Sequence, residues 1–318
     1  MVSYNSQDYI ENCLLSVIGQ KYGDWFLVVG DNNSGDRTVE IINKVKNYSP
    51  QLTPANFKLV KFSRNLGFSG AINRIFFKLL KRDAHKFDYL LFVNPDMRLG
   101  RDAVHNLVAP FKNDQKIGVC GALILDYKSN QIQHLGGLIL PNFVTTHIGS
   151  GKDYHQLKDE FKDKTGNMMD CIRDVSYTTG ALLATRARLF SSLGGLDTGY
   201  RPAYFEELDY CLKVSRSQGR VVVNPLARAR HAEAVSTRKY SRRFYRLYHK
   251  NRIRCALLHA QLCCKAFIKE EAKWAKNNAT RDQYGPLAFA YAANILFLPL
   301  TMAIRAKNHF ILNKIRLK

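Results

Sequence analysis

The 318 residues make room for one large domain or two ordinary ones, and 46% hydrophobic against 23% charged content excludes a disordered or fibrous chain. Lys and Arg total 48 against 26 Asp and Glu, a formal charge of +22, so an anionic partner is implied: nucleic acid, a phosphorylated substrate or a lipid headgroup layer. Seven scattered cysteines, with no C-x-x-C pair, give neither a disulfide framework nor a structural zinc site and point to a reduced, intracellular setting.

No basic-then-apolar signal segment opens the chain. Apolar spacing predicts a helix over Ile10 to Ile18, with Asn5, Ser6 and Asp8 as capping candidates. Trp25 to Val29 reads as a short buried strand, ended by the polar turn Gly30-Asp31-Asn32-Asn33-Ser34-Gly35-Asp36. A helix follows from Arg37 to Val45, a strand over Lys58 to Phe62, and a helix from about Ser69 to Leu80. Tyr89 to Val93 is a third strand running into Asn94-Pro95-Asp96, followed by a helix near Ala103 to Phe111 and a strand within Ile117 to Leu125. Strands alternating with helices predict an α/β fold, a mostly parallel sheet with helices on both faces. In such a sheet the ligand crevice lies beyond the carboxyl ends of the strands. A strand is also expected before Tyr4, where only Met1 to Ser3 stand; it is either a stub or begins upstream. Residues 149–164 are highly polar and read as a surface excursion.

The body is expected to span 1–240, with a basic helical region and an apolar tail over 241–318. Between Arg228 and Arg254 there are ten basic residues and one acid, Glu233, and Arg242, Arg246, Lys250 and Arg254 recur at helical spacing as one stripe. Gln283 to Ile304 is the longest uncharged segment, marginally sufficient to cross a hydrocarbon core, and is followed by Arg305, Lys307, Lys314, Arg316 and Lys318. We expect this end to seat on the cytoplasmic face of a membrane, as a hairpin lying on the leaflet or as a single C-terminal segment.

Several residue clusters carry chemistry. Asp31, after a strand, is placed to accept from a base or ribose across the strand ends, with Asn32 and Asn33 beside it; an ordinary turn explains the same residues. Asp96 emerges from an apolar strand, where a carboxylate can hold a hard divalent ion bound to phosphate oxygens. Gly67-Phe68-Ser69-Gly70 allows close approach of a backbone to a ligand, with Arg64 and Asn65 facing the same crevice. Tyr204-Phe205-Glu206-Glu207-Leu208-Asp209 sets three acids among aromatics, fitting a general base or an acidic helix start. His231, after the strand at Val221 to Val223, is a candidate ligand for Mg²⁺ or Mn²⁺. Neither a dinucleotide fingerprint nor a Walker loop is present.

In order and spacing, these marks resemble the inverting nucleotide-sugar glycosyltransferases of GT-A fold, glycosyltransferase family 2, in particular a rhamnosyltransferase-like branch. The resemblance covers roughly residues 1–235. It rests on Val2 to Asn5, Val29 to Asp36, Asn65 to Asn73, Phe92 to Asp96, Thr179-Gly180-Ala181, Gly194 to Asp197, Tyr204 to Asp209, and Pro225 with His231. It implies Asp31 on the nucleobase, Asn5, Asn33, Arg64, Asn65, Gly67 and Asn94 around the donor, and Thr179 and Gly180 toward the acceptor. It implies Asp96 and His231 on the metal, Asn94 replacing the first acid of the usual Asp-x-Asp as that branch also does. Glu207 falls where the family has its catalytic aspartate, with Glu206 as rival and Asp209 beside them; Ala71 and Arg74 replace small glycines. The implied reaction is direct displacement, rhamnose from dTDP-rhamnose being the favoured transfer and UDP sugars the alternative, onto a lipid-linked or polysaccharide acceptor in cell-surface glycan synthesis.

Three other classes compete, one of them a nucleotidyltransferase on a similar sheet, for which no glycine- and basic-rich triphosphate loop stands near the start. A nucleic-acid-binding protein would explain +22, but the charge adjoins an apolar tail and the acids cluster in the crevice, so no nucleic-acid partner is expected. An inactive scaffold would explain Glu207 and the curtailed first strand. Oligomeric state is not legible.

Overall fold

The computed structural model describes residues 1–80, 87–157, 168–232, 241–260 and 265–315. The first part runs β1 (Val2–Ser3), α1 (Ile10–Ile18), β2 (Leu27–Asp31), α2 (Thr38–Tyr48) and β3 (Phe57–Lys61). Next come α3 (Gly67–Arg74), continued as a π-helix to Leu80, then β4 (Tyr89–Val93), β5 (Met97–Leu99), α4 (Ala103–Asn113) and β6 (Ile117–Asp126). Short elements follow: β7 (Ile132–His134), β8 (Gly137–Ile139), β9 (Thr145–His147), α5 (Tyr154–Leu157) and β10 (Arg173–Asp174). The rest is β11 (Leu182–Arg186), α6 (Ala187–Ser192), α7 (Glu206–Arg216), β12 (Arg220–His231), α8 (Arg242–His259), α9 (Lys265–Asn278), α10 (Arg281–Leu296) and α11 (Leu298–Lys314).

Strands β1, β2 and β3 form a parallel sheet in that order, and β12 lies parallel to β6. The mostly parallel expectation needs one correction. β11 inserts between β4 and β6, antiparallel to both, and β5, β7 and β10 also pair antiparallel. Hydrophobic runs report burial of both faces but say nothing of strand direction. Alternation along the strands feeds two cores. Leu27, Val29, Val93, Leu182 and Ala184 point to one side with α1, α2 and α4. Val28, Phe92 and Leu183 point to the other with α3, α6, α7 and α8. In α1 the buried residues Ile10, Cys13, Leu14 and Val17 make the single stripe that a helix on a sheet requires.

Residues 233–240, Glu233 among them, stand where the expected boundary falls and lie outside the described residues, as do residues 158–164 of the polar excursion, Arg316 and Lys318. The basic stripe on α8 does not survive as one face. Arg242 and Arg246 are exposed, Lys250 donates to the Arg201 carbonyl at 3.1 Å, and buried Arg254 pairs with Asp197 at 2.7 Å. Asn251 Nδ2 donates to the carbonyls of Tyr200, Ala203 and Tyr204. Arg252 is fully buried and forks onto Glu271, with both nitrogens 2.6 Å from its oxygens. Charge spacing predicts a face; only tertiary partners decide which cations stay wet.

Of the two forms expected for the tail, the described residues show a bent pair of helices and not one continuous spanning helix. Among the described residues no single helix is long and apolar enough to cross a membrane; α10 and α11 are bent by 69° at their junction. Pro299 stands in the first turn of α11, where its missing amide hydrogen costs no helical bond and its fixed backbone angle suits a helix start.

Candidate functional site

The polar loops after β1, β2, β4 and β12 and the start of α7 converge as follows. Asp31 ends β2, is 3% exposed, and has its carboxylate set by Ser34 Oγ at 2.6 Å, the Ser34 amide at 3.0 Å and Ser3 Oγ at 3.3 Å. Asn5 closes the same knot: its amide donates to Ser34 Oγ at 3.0 Å and its side chain accepts from the Gly35 amide at 2.9 Å. Asn33 stands exposed beside it in the left-handed region, φ 67°. The Asp36 carboxylate accepts from the Thr38 amide at 3.0 Å, so this acid begins α2 rather than facing a ligand.

The 64–67 loop is tied to this knot by Asn32, a buried residue whose side chain accepts from the Leu66 amide at 2.7 Å and donates to Asn65 Oδ1 at 3.0 Å. Arg64 and Asn65 are exposed there. Gly67 is required: its φ is +73°, and a Cβ would lie 3.1 Å from the Pro202 carbonyl oxygen. Loop 201–202 therefore roofs the 65–67 turn.

After β4, the Asn94 amide donates to the Ala181 carbonyl at 2.9 Å, joining this loop to the Thr179-Gly180 turn before β11. Asp96 Oδ1 lies 3.2 Å from His231 Nε2, each side chain 13% exposed. The register explains the meeting: His231, last in β12, pairs with Met97 of β5, and the Ala232 amide donates to the Asp96 carbonyl at 3.2 Å. Gln133 Nε2 donates to the His231 carbonyl at 2.9 Å. Next to it in β7, buried His134 accepts the Thr179 amide on Nε2 at 3.1 Å. Burial, with His147 and His231 nearby, pushes this imidazole well below its ordinary range, so it is neutral and carries its proton on Nδ1. Sequence reasoning missed Gln133 and His134, because a lone polar residue in a mixed segment carries no spacing signal.

Helix α7 brings the acids. Tyr204 and Phe205 both take left-handed backbone angles, φ 79° and 76°, an arrangement costing roughly 1–3 kcal/mol each and concentrated at functional sites. The strain aims the first helical turn at the Thr179-Gly180 segment, where a Cβ on Gly180 would lie 3.5 Å from Glu207 Cβ. Burial raises Glu207 above the ordinary carboxylate range; burial and the neighbouring Glu207 charge raise Glu206 further. Glu206 is 4% exposed, and its Oε2 has no hydrogen-bond partner among the described residues. The helix dipole favours acids at this end, which is why the sequence accommodates them.

Asp209 is not with them. It is fully buried, 2.6 Å from Lys213 Nζ, 2.7 Å from His259 Nε2 and 3.2 Å from the Tyr200 hydroxyl. Burial alone would raise its pKa, but the Lys213 ammonium and His259 hold it far below the ordinary range. Its carboxylate braces α7 against α8 and is closed to an acceptor; the catalytic expectation for Asp209 is corrected on that ground.

The residues at Asp96 fit a divalent ion. Asp96 Oδ1 is buried and accepts no hydrogen bond among the described residues, although an imidazole nitrogen stands 3.2 Å away. Two donors about 2.1 Å from one octahedral ion, at right angles, lie roughly 3 Å apart. Among the described residues no group of three or more His, Cys, Asp or Glu is placed to hold a metal. One carboxylate and one imidazole leave positions for phosphate oxygens and water, as a magnesium-type site requires.

Residues 1–175, just over half of the chain, match the family model for glycosyl transferase family 2. A poly-beta-1,6-N-acetyl-D-glucosamine synthase of Staphylococcus aureus (strain MSSA476) is 28% identical over 118 residues, covering 37% of this chain and 26% of the synthase. The match thus spans about a quarter of that relative's length. Among solved structures, GalNAc-T7 with UDP, GalNAc and Mn²⁺ superposes with TM-score 0.61 at 16% identity, over 92% of this chain and 53% of that one. S. aureus TarS 1-349 gives 0.53 at 16%, covering 98% of this chain and 87% of that one. The mannosyltransferase PcManGT from Pyrobaculum calidifontis, in complex with GDP-Man and Mn²⁺, gives 0.52 at 17%, covering 96% and 72%. These likenesses show a shared GT-A fold. With the family match over its N-terminal half and that fold over nearly all its length, the chain belongs to glycosyl transferase family 2.

Proposed function

We propose that this glycosyltransferase is a metal-dependent inverting enzyme, moving a sugar from a nucleoside-diphosphate donor to an acceptor hydroxyl. The observation that carries the reading is the run of neighbours from Asp96 and His231, through Gln133, His134 and Thr179, to Gly180 and Glu207. That run sets a hard-cation pair and a half-buried carboxylate along one stretch of neighbouring residues. Asp31, with Asn5 and Asn33, receives the nucleoside; Arg64, Asn65, Gly67 and Asn94 border the diphosphate and sugar; Thr179 and Gly180 border the acceptor.

Asp96 and His231 would hold Mg²⁺ or Mn²⁺, and the chemistry that ion supplies when bound is neutralisation of the departing diphosphate. Glu207 takes the proton of the acceptor hydroxyl as that oxygen bonds to the anomeric carbon from the opposite face. The bond from that carbon to the phosphate oxygen breaks, and its electron pair leaves with the diphosphate. One displacement inverts the centre and needs no covalent sugar–enzyme intermediate. Glu206, buried beside Glu207, is raised further by burial and by the Glu207 charge, while burial alone raises Glu207.

For the donor, Asn94-Pro95-Asp96 favours dTDP-rhamnose. UDP amino sugars are the rival class, since TarS 1-349 is known in complex with UDP-GlcNAc and the S. aureus relative is named for an N-acetyl-D-glucosamine polymer. The acceptor is a lipid-linked or polysaccharide glycan of the cell surface, met at the cytoplasmic leaflet. Replacing Glu207 by Gln tests the assignment. Transfer should fall by about 10²–10⁴-fold with donor binding intact, whereas full transfer by Glu207→Gln would remove Glu207 from the role.

A further inference from the structure

The junction of α10 and α11 is the most apolar exposed feature of the described chain. Ile295, Leu296, Phe297, Leu298 and Leu300 are 71%, 74%, 55%, 37% and 58% exposed in one uninterrupted corner. A soluble surface rarely leaves such a contiguous patch without an occupant. Phe289 and Tyr284 of α10 are also exposed, Phe289 in part under Arg246. From Gln283 to Lys318 there is no acid, while Arg305, Lys307, Lys314, Arg316 and Lys318 are basic. An apolar tip backed by cations complements an anionic bilayer: hydrocarbon for the corner, headgroup charge for the rim.

The corner also has a fixed relation to the crevice. α10 runs beside α8 in the same direction, with Asp282 near Arg242, Phe289 under Arg246, and Asn294 Nδ2 donating to the Lys250 carbonyl at 2.9 Å. Lys250 Nζ donates to the Arg201 carbonyl at 3.1 Å, and Arg201 donates to the Asn65 carbonyl at 3.3 Å. Three successive hydrogen bonds thus join the residue preceding the corner to the loop bordering the donor site.

We propose that Ile295 to Leu300 is a shallow wedge that enters one leaflet of an anionic membrane and holds the crevice mouth at the lipid surface. Neither helix spans; the bend is the anchor. The inference deepens the proposed function, resting on it only for the lipid-linked acceptor, which the wedge would meet by lateral diffusion in the leaflet.

The test uses the full chain and sedimentation with vesicles of phosphatidylcholine, with and without phosphatidylglycerol. Wild type should sediment with the anionic vesicles, and the doubly substituted Leu296→Asp, Phe297→Asp chain should lose at least about tenfold in partition. Both side chains are exposed, so its thermal midpoint should not move. Phe297→Trp gives a second readout: brominated lipid should quench the added fluorescence, and an unquenched tryptophan overturns the wedge. Equal sedimentation of wild type and the Asp variant also overturns it. So does a dimer in solution that the Asp variant dissolves while vesicles go unbound, since the corner would then cover a second copy. Metal-dependent nucleotide release from soluble donor is measured alongside. Its absence with corner-dependent vesicle binding would defeat the catalytic reading alone.

Discussion

Neutralising Asp209 separates a structural carboxylate from a catalytic one. Asp209→Asn leaves Lys213, whose side chain is 6% exposed, without its counter-charge, and weakens the bonds to His259 and the Tyr200 hydroxyl. Breaking a buried ion pair by removing one partner costs about 3–5 kcal/mol, because the remaining charge keeps its desolvation penalty. At about 2–4 °C per kcal/mol for a domain of this order, the thermal midpoint should fall by roughly 10 °C. Circular dichroism melts read this directly, and adding Lys213→Met should recover much of the loss by removing the orphaned charge. Donor binding below the lowered midpoint should stay near wild type. An unchanged midpoint together with abolished transfer would refute the reasoning and return Asp209 to the catalytic group.

Two further outcomes follow from the site. Gly67→Ala forces a side chain into left-handed backbone beneath the Pro202 carbonyl, so stability should drop by about 1–2 kcal/mol and the KM for donor should rise more than kcat falls. The base must be ionised and burial raises Glu207, so activity should be lost as pH falls through a pKa above the ordinary carboxylate value. A kcat profile measures this limb, and Glu206→Gln should leave it in place, because burial and not the Glu206 charge raises Glu207.

What the sequence discloses depends on how local the cause is. Helix Ile10–Ile18 and strand Tyr89–Val93 have the bounds that their apolar spacing predicts, because one stripe and one run suffice to define them. The antiparallel β11 was not legible, since direction is fixed by neighbours from distant parts of the chain. The split of Glu206-Glu207-Leu208-Asp209 into crevice acids and a brace was equally hidden: His259 is fifty residues on from Asp209, and no spacing rule links them. The same holds for Arg254, whose partner Asp197 removes it from the basic stripe. Asp96 and His231 were legible as chemistry, and their meeting depends on the β5–β12 register. His134 and Gln133 act through backbone groups, which no residue-type pattern advertises.

The central claim, that a divalent ion and a diphosphate meet at Asp96 and His231, is tested most directly by Mn²⁺ binding followed by electron paramagnetic resonance, with and without nucleoside diphosphate. Wild type should bind the ion more tightly when the nucleotide is present, with at least about tenfold weaker binding in Asp96→Asn and in His231→Gln. Nucleotide-dependent Mn²⁺ binding equal to wild type in both variants would contradict the account.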